Sequence, residues 1–342
     1  MVKQLYPRVE INLKYLTENV ATVVKKCSEK GIKIAGVMKG TTGIPQCSKC
    51  FEDGGASLIA SSRLEQLEDA KEFGIKLPCL LLRVPMLSEI PEVVRIADVS
   101  LNSEIEVLKA LNEEAGRQGK QHKVIIMADL GDLREGFWDK NEMVDVAVEV
   151  ENNMPNLILG GVGTNLGCYG SIEATADKLQ ELVDIAERIE AKIGRPERVN
   201  LLRVGEGILL ARDLDVFFGY DMSDMHQDVY TLKAEVIEVK TKPSHPVGSI
   251  TIDAFGHKPV YVDRGMRKRA LLGIGKVDYG SIDEIFPKDK GVEVIGASSD
   301  HTILDIEDAE RDIKVGDILS FGINYASIVY LTNCRNVQIV FV

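Results

Sequence analysis

Between residues 33 and 212, short runs of apolar residues alternate with longer stretches in which apolar residues recur every three or four positions. A run that is apolar at every position reads as a parallel strand buried on both faces, and the longer repeat reads as a helix lying against it. The pattern predicts strands at 33–38, 56–60, 78–82, 98–101, 122–129, 157–164 and 199–204. Leu179, Leu182, Val183, Ala186, Ile189 and Ile193 mark the clearest helix, over 174–193. Another, over 103–117, opens on Ser103-Glu104-Ile105-Glu106, a cap residue followed by acids where the helix dipole favours them. This βα alternation belongs to an α/β barrel, whose closed form has eight strands. Seven are visible, and the shortfall lies between Ala191 and Asn200, where the helix gives way to Gly194-Arg195-Pro196-Glu197-Arg198 and then directly to the last strand.

After residue 228 the texture changes to β-branched runs broken by proline and glycine, predicting strands at 229–241, 259–262, 292–297, 303–306, 317–321 and 337–342. The reading is a (β/α)₈ TIM-type barrel over residues 1–225 followed by an all-β domain over 226–342. A chain of 342 residues exceeds what one hydrophobic core usually serves, which agrees with two domains. The 53 acidic against 41 basic residues, a formal charge of -12, argue against broad binding to nucleic acid or to anionic membrane, but not against a small cationic substrate. No apolar segment reaches about eighteen residues and the N-terminus shows no signal-peptide core, so the expected location is the cytoplasm. Six scattered cysteines do not form a disulfide framework. Cys47 and Cys50 have metal-ligand spacing but no companion pair, and read as ordinary helix cysteines, with no metal site expected.

Candidate chemistry gathers at the strand ends. The first apolar run delivers Lys39 into Gly40-Thr41-Thr42-Gly43, and a lysine partly withdrawn from water can act as an amine nucleophile toward a carbonyl cofactor. Strand 122–129 ends in Asp129-Leu130-Gly131-Asp132-Leu133-Arg134-Glu135-Gly136-Phe137. Strand 157–164 ends in Gly163-Thr164-Asn165-Leu166-Gly167-Cys168-Tyr169-Gly170, and the last strand runs into Arg203-Val204-Gly205-Glu206-Gly207-Ile208, where free backbone N–H groups suit a phosphate. Catalytic residues of barrel enzymes come from the ends of several strands.

These motifs resemble a known family. With Pro7-Arg8-Val9-Glu10-Ile11-Asn12-Leu13 at the start, and Asp253-Ala254-Phe255-Gly256, Gly296-Ala297-Ser298-Ser299-Asp300-His301 and Ile323-Asn324-Tyr325 later on, the chain is similar over essentially its whole length to the fold-type III pyridoxal-phosphate enzymes of the alanine racemase superfamily, in the alanine/ornithine racemase branch. The resemblance implies an amino-acid racemase, most of all one for ornithine, using pyridoxal 5'-phosphate. It implies that Lys39 carries the cofactor, that Tyr325 hydrogen-bonds its phosphate near Gly205, and that Arg203 faces the pyridine nitrogen in preference to Glu206. It implies that Arg134 lies near the substrate carboxylate. Asp278 and Asp300 are the candidates for holding a cationic side chain. It also implies a homodimer with shared active sites, whose second base comes from the partner's β-domain, with Tyr279 preferred over Lys276. Other readings of the same superfamily are a racemase of lysine, arginine or alanine, a D-amino-acid aldolase, and a non-catalytic cofactor carrier. Departures from the alanine racemase pattern are Met127 in place of the lysine seven before the arginine, Asn165 for the histidine after threonine, and Gly43 for the tyrosine beyond the cofactor lysine. A Gly-Gly-Asn-Ser segment expected between Ala191 and Arg203 is also missing, at the place where the strand count falls short.

Overall fold

A computed structural model of the chain describes residues 5–195, 199–212, 214–252, 255–256 and 258–342. It divides into two compact units, one over residues 20–39 and 43–205 and the other over residues 1–19, 40–42 and 206–342. A short first strand, β1 (Arg8–Ile11), lies in the second of these.

The α/β unit contains β2 (Lys33–Val37), β3 (Leu58–Ser61), β4 (Cys79–Leu81), β5 (Val99–Asn102), β6 (His122–Ala128), β7 (Leu157–Thr164) and β8 (Leu201–Val204), each within two residues of the strand expected there. All neighbours pair in parallel, in the order β7-β6-β5-β4-β3-β2-β8. This is a TIM-type α/β barrel wall with seven described strands. Its inner face is apolar: Ala35, Val37, Ala60, Leu80, Leu82, Val99, Leu101 and Met127 pack as one buried cluster. Arg203 is the register partner of Ala35 at the carboxyl end of β8, and Lys39 follows two residues beyond the carboxyl end of β2. On the outer face the helix Pro45–Asp53 lies hard against β2, because a Cβ on Gly36 would come 2.2 Å from Phe51 Cδ1. Cys47 and Cys50 are buried in that helix, and burial pushes the Cys47 thiol far up, as suits packing residues.

Among the described residues no backbone pairing joins β7 to β8. Two arginine side chains reach across instead. Arg203 donates to Thr164 O near the mouth, and Arg195, paired with Glu151, donates to Leu159 O at 3.0 Å. Ile158 and Leu202, on these two strands, stay 40% and 45% exposed.

The second unit is an antiparallel sheet built on β9 (Tyr230–Pro243), with β10 (Met266–Leu272), β11 (Ile285–Pro287), β12 (Glu293–Ala297), β13 (Thr302–Asp305), β14 (Ile318–Ile323) and β15 (Gln338–Phe341). Two expectations need correcting. Residues 259–262 form no strand, and Val260 and Val262 remain 92% and 75% exposed there. The strand lies a few residues on, in β10, where three consecutive cations mask the pattern. Two of those cations are matched by acids: Arg267 pairs with Asp305 at 2.9 Å and also with Asp308, and Lys268 pairs with Asp312 at 3.0 Å. β1 runs antiparallel to β9 and parallel to β15, so residues read from sequence as the start of the barrel domain sit in the β sheet, and the units part at residue 205 rather than near Met225. No helix among the described residues is long and apolar enough to cross a membrane.

Candidate active site

Lys39 is half-buried and opens a 3₁₀ turn directly after β2. The turn closes with Gly43 N donating to Met38 O at 3.2 Å. Gly43 sits at φ +76° with the Gln66 side chain against its Cα, which only glycine tolerates. The end of β8 is held beside the end of β2 by Gly205, where a Cβ would approach Val37 Cβ to 3.2 Å. Arg203 is thus flanked by β2 through its register partner and by β7 through Thr164 O. Burial pushes the Arg203 guanidinium down from its usual range, Glu135 draws it back up, and Arg134 pushes it down again. Those opposing effects place Arg203, Arg134 and Glu135 in one electrostatic neighbourhood.

The loop after β6 is braced from within. Asp129 Oδ1 accepts from Gly131 N at 2.8 Å and Leu133 N at 3.1 Å, and Lys140 Nζ donates to the carbonyls of Asp129, Phe137 and Trp138 at 2.5, 3.1 and 2.8 Å. Gly136, at φ +131°, lets the loop return so closely that a Cβ would stand 2.4 Å from Asp129 N. At the tip, Arg134 holds Glu135 in a two-pronged ion pair, Nη2 to Oε1 at 2.5 Å and Nε to Oε2, with Glu135 the more enclosed of the two. Glu135 thereby holds the guanidinium above its usual range.

Asp132 joins this loop to the one after β7. It is buried, and its carboxylate accepts from Asn165 Nδ2 at 2.8 Å and from the backbone N–H groups of Cys168, Tyr169 and Gly170 at 3.3, 3.1 and 2.8 Å. Burial alone would raise its pKa, but the four donors more than offset this and hold the carboxyl below the usual carboxylate range. Cys168 is exposed, 3.4 Å from Asn165 Oδ1. Thr164 Oγ1 is buried and has no partner among the described residues.

In the β unit the expected residues have other employment. Tyr279, the preferred second base, is fully buried with its hydroxyl 2.7 Å from Thr302 Oγ1, and burial pushes its pKa up to about 12. The enclosed hydroxyl ties its segment to β13 through that hydrogen bond. Asp278 is also buried: Oδ2 accepts from Gly275 N at 3.0 Å, and Oδ1 takes Cys334 Sγ at 3.1 Å and Asn336 Nδ2 at 3.3 Å. Both its oxygens are engaged, one by its own turn and the other by the segment after the helix Tyr325–Asn333. Lys276 is half-buried with Nζ 4.5 Å over the Phe255 ring, and Asp300 is exposed on the turn that packs on Gly275. The ring of Tyr325 lies against Gly40, where a Cβ would come 2.8 Å from Cε2. Glu206 is exposed in the first turn of the short helix Glu206–Leu209. Asp253 and Ala254, part of a motif quoted above, lie outside the described residues.

Sequence reasoning thus singled out Lys39, Arg134, Asn165, Arg203 and Gly205, which the α/β unit brings to its strand ends. It passed over Asp132 and Glu135, whose one signal was two acids among glycines in a loop too short to leave them solvated. An amine, a guanidinium and an unpartnered buried hydroxyl at adjacent strand ends fit the aldehyde and ring of pyridoxal phosphate. On the phosphate side the α/β unit offers the Gly205 backbone.

The family model described as alanine racemase, N-terminal domain, matches residues 11–218. The chain is 38% identical to ornithine racemase of Acetoanaerobium sticklandii over 346 positions, covering 95% of this chain and 96% of that one. It is 39% identical to lysine racemase of Thermotoga maritima, covering 95% of each. Among solved structures, alanine racemase from the D-cycloserine producer Streptomyces lavendulae is similar with a TM-score of 0.76 at 16% identity, over 99% of this chain and 98% of that one. Alanine racemase of Clostridium difficile 630 gives 0.73 at 20%, over 99% and 96%.

Proposed function

Because the chain belongs to the alanine racemase family and is an amino-acid racemase, we propose that it interconverts L- and D-ornithine with pyridoxal 5'-phosphate carried on Lys39. The observation that carries this reading is the placement of Lys39 just beyond the end of β2 beside Arg203 on the paired strand β8, together with the likeness to an ornithine racemase across 95% of the chain. The lysine racemase relative makes lysine the second substrate to try.

When bound, pyridoxal phosphate withdraws electrons from Cα and makes its proton removable. The chain's own residues do the rest. Lys39 Nζ takes or returns that proton on one face, the electron pair of the broken C–H bond staying on the carbon until the opposite face is protonated. Lys276 of the partner subunit serves that opposite face, taking the role that burial denies Tyr279. Arg134 orients the substrate carboxylate, and Arg203 donates to the ring nitrogen and so keeps it unprotonated. Gly205 N–H and Tyr325 hold the phosphate. A homodimer is supported by apolar residues left exposed in the β unit, with Val216 and Phe217 at 76% and 74% and Val247 at 92%. The six free cysteines suit a reducing cytoplasm.

Chiral chromatography of the protein supplied with pyridoxal phosphate and L-ornithine, L-lysine, L-arginine, L-alanine or L-serine tests the reading. Ornithine is expected to racemise fastest. Lys39→Ala is expected to lose the bound-cofactor absorbance and to slow racemisation at least about 10³-fold. Retention of the band in that variant, or turnover of alanine alone, contradicts the proposal.

A further inference from the structure

We propose that Glu135 reads the ammonium of the substrate side chain, freed for that task when the substrate carboxylate takes its place on Arg134. The inference rests on the racemase reading above and names the residue that sets its substrate class. Arg134 and Glu135 already form a two-pronged ion pair at the tip of a loop pinned by Asp129, Lys140 and Asp132. Glu135 is the more enclosed partner, its side chain 17% exposed against 37%, and it lies in the field of Arg203 as well.

A carboxylate entering to bind Arg134 must displace the carboxylate already there. An aliphatic amino acid then leaves Glu135 half-buried with its charge unmatched, a state that penalises binding. A diamino acid brings a second cation along with its carboxylate, so one internal ion pair is exchanged for two pairs with the substrate. Discrimination follows from the unpaired carboxylate that every neutral side chain leaves behind. Asp278 is less suited, since it is buried with one oxygen held by Gly275 N and the other by Cys334 and Asn336. Asp300, exposed in the β unit, is the rival to be tested alongside.

The experiment compares wild type, Glu135→Gln, Glu135→Asp and Asp300→Asn on L-ornithine and on L-norleucine, which has a methyl group where ornithine has its ammonium. In Glu135→Gln the ratio of kcat/KM for ornithine to that for norleucine is expected to fall about 100-fold, ornithine losing, chiefly through KM, the partner of its ammonium and norleucine gaining because no unmatched carboxylate is left behind. Glu135→Asp, one methylene shorter with the charge kept, is expected to retain a preference for cationic substrates and move it from ornithine toward lysine. Calorimetric binding of 5-aminopentanoate, which carries both charges without the α-amino group, is expected to weaken at least about tenfold in Glu135→Gln. An unchanged ornithine to norleucine ratio in Glu135→Gln, or a collapse of that ratio in Asp300→Asn alone, overturns the assignment. A wild-type protein that racemises norleucine or alanine but no basic amino acid overturns the substrate reading of the preceding section and this inference with it. A glutamine variant that binds 5-aminopentanoate normally yet loses ornithine turnover overturns this inference only.

Discussion

The two sides of the barrel mouth are built differently. Between β6 and β7 the strands pair along their length, and the loops beyond them are fused by Asp132, which takes an amide side chain and three backbone N–H groups into one buried carboxylate. Between β7 and β8 the described chain offers no ladder, only Arg203 on Thr164 O and Arg195 on Leu159 O. The braced side carries the pair that would meet substrate, Arg134 and Glu135. The bridged side carries Arg203 and lies beside Lys39. The loop that carries Arg134 and Glu135 is therefore braced by the protein alone, whereas the side that carries Arg203 depends on side chains standing in for backbone, and a ring that engaged Arg203 would compete with the bridge it makes.

The largest break in this contrast is Asp132→Ala. It strands donors that are buried with the carboxylate and is expected to cost about 2–4 kcal/mol, read as a lower urea midpoint. Amide hydrogen exchange at Cys168, Tyr169 and Gly170, whose N–H groups Asp132 accepts, would then be at least about tenfold faster. An unchanged exchange rate would mean that the two loops are held by something other than this carboxylate. Arg203→Met, on the bridged side, frees the edge of β7 but loses one hydrogen bond at a half-buried position, so about 1–2 kcal/mol is expected by the same measurement. A loss larger than that of Asp132→Ala would reverse the comparison.

Acid sharpens it. The Asp132 carboxyl lies below the usual range in the folded chain, so the unfolded chain takes up its proton first. The stabilisation is complete above the ordinary carboxylate value of about 4 and is lost as pH falls through the lower folded value. Hydrogen exchange at Cys168, Tyr169 and Gly170, corrected for intrinsic rates, is expected to accelerate below about pH 4, with no matching change at Leu201–Val204. Arg195→Ala is the smallest change, under about 1 kcal/mol, because its ion pair with Glu151 faces water.

Much of this was legible in the residues, and the exceptions share a cause. Continuous apolar runs located every described barrel strand, since a strand buried on both faces cannot hide its composition. β10 was missed because Arg267 and Lys268 are neutralised by acids far along the chain and Arg269 donates to Ser244 O, information that no local window contains. Residues 259–262 were over-read because β-branched residues satisfy a propensity rule even when no neighbouring strand is there to pair with them. In the site, Lys39 and Arg203 follow from their places at strand ends. The roles of Asp132 and Tyr279 do not, since one accepts from residues 33 to 38 positions away and the hydroxyl of the other bonds Thr302 Oγ1, 23 positions on.

The pairing of β1 with β15 sets an order of assembly during synthesis. Arg8 is made long before its parallel partner Gln338, and its antiparallel partner Lys233 comes after all seven strands of the α/β unit. β1 therefore waits, edge groups unpaired, while the parallel strands are already present to collapse. The sheet around β1 is completed only when β15 is released. A chain truncated before residue 338 would leave β1 paired on one side only, exposing to other nascent chains the edge that the finished molecule conceals.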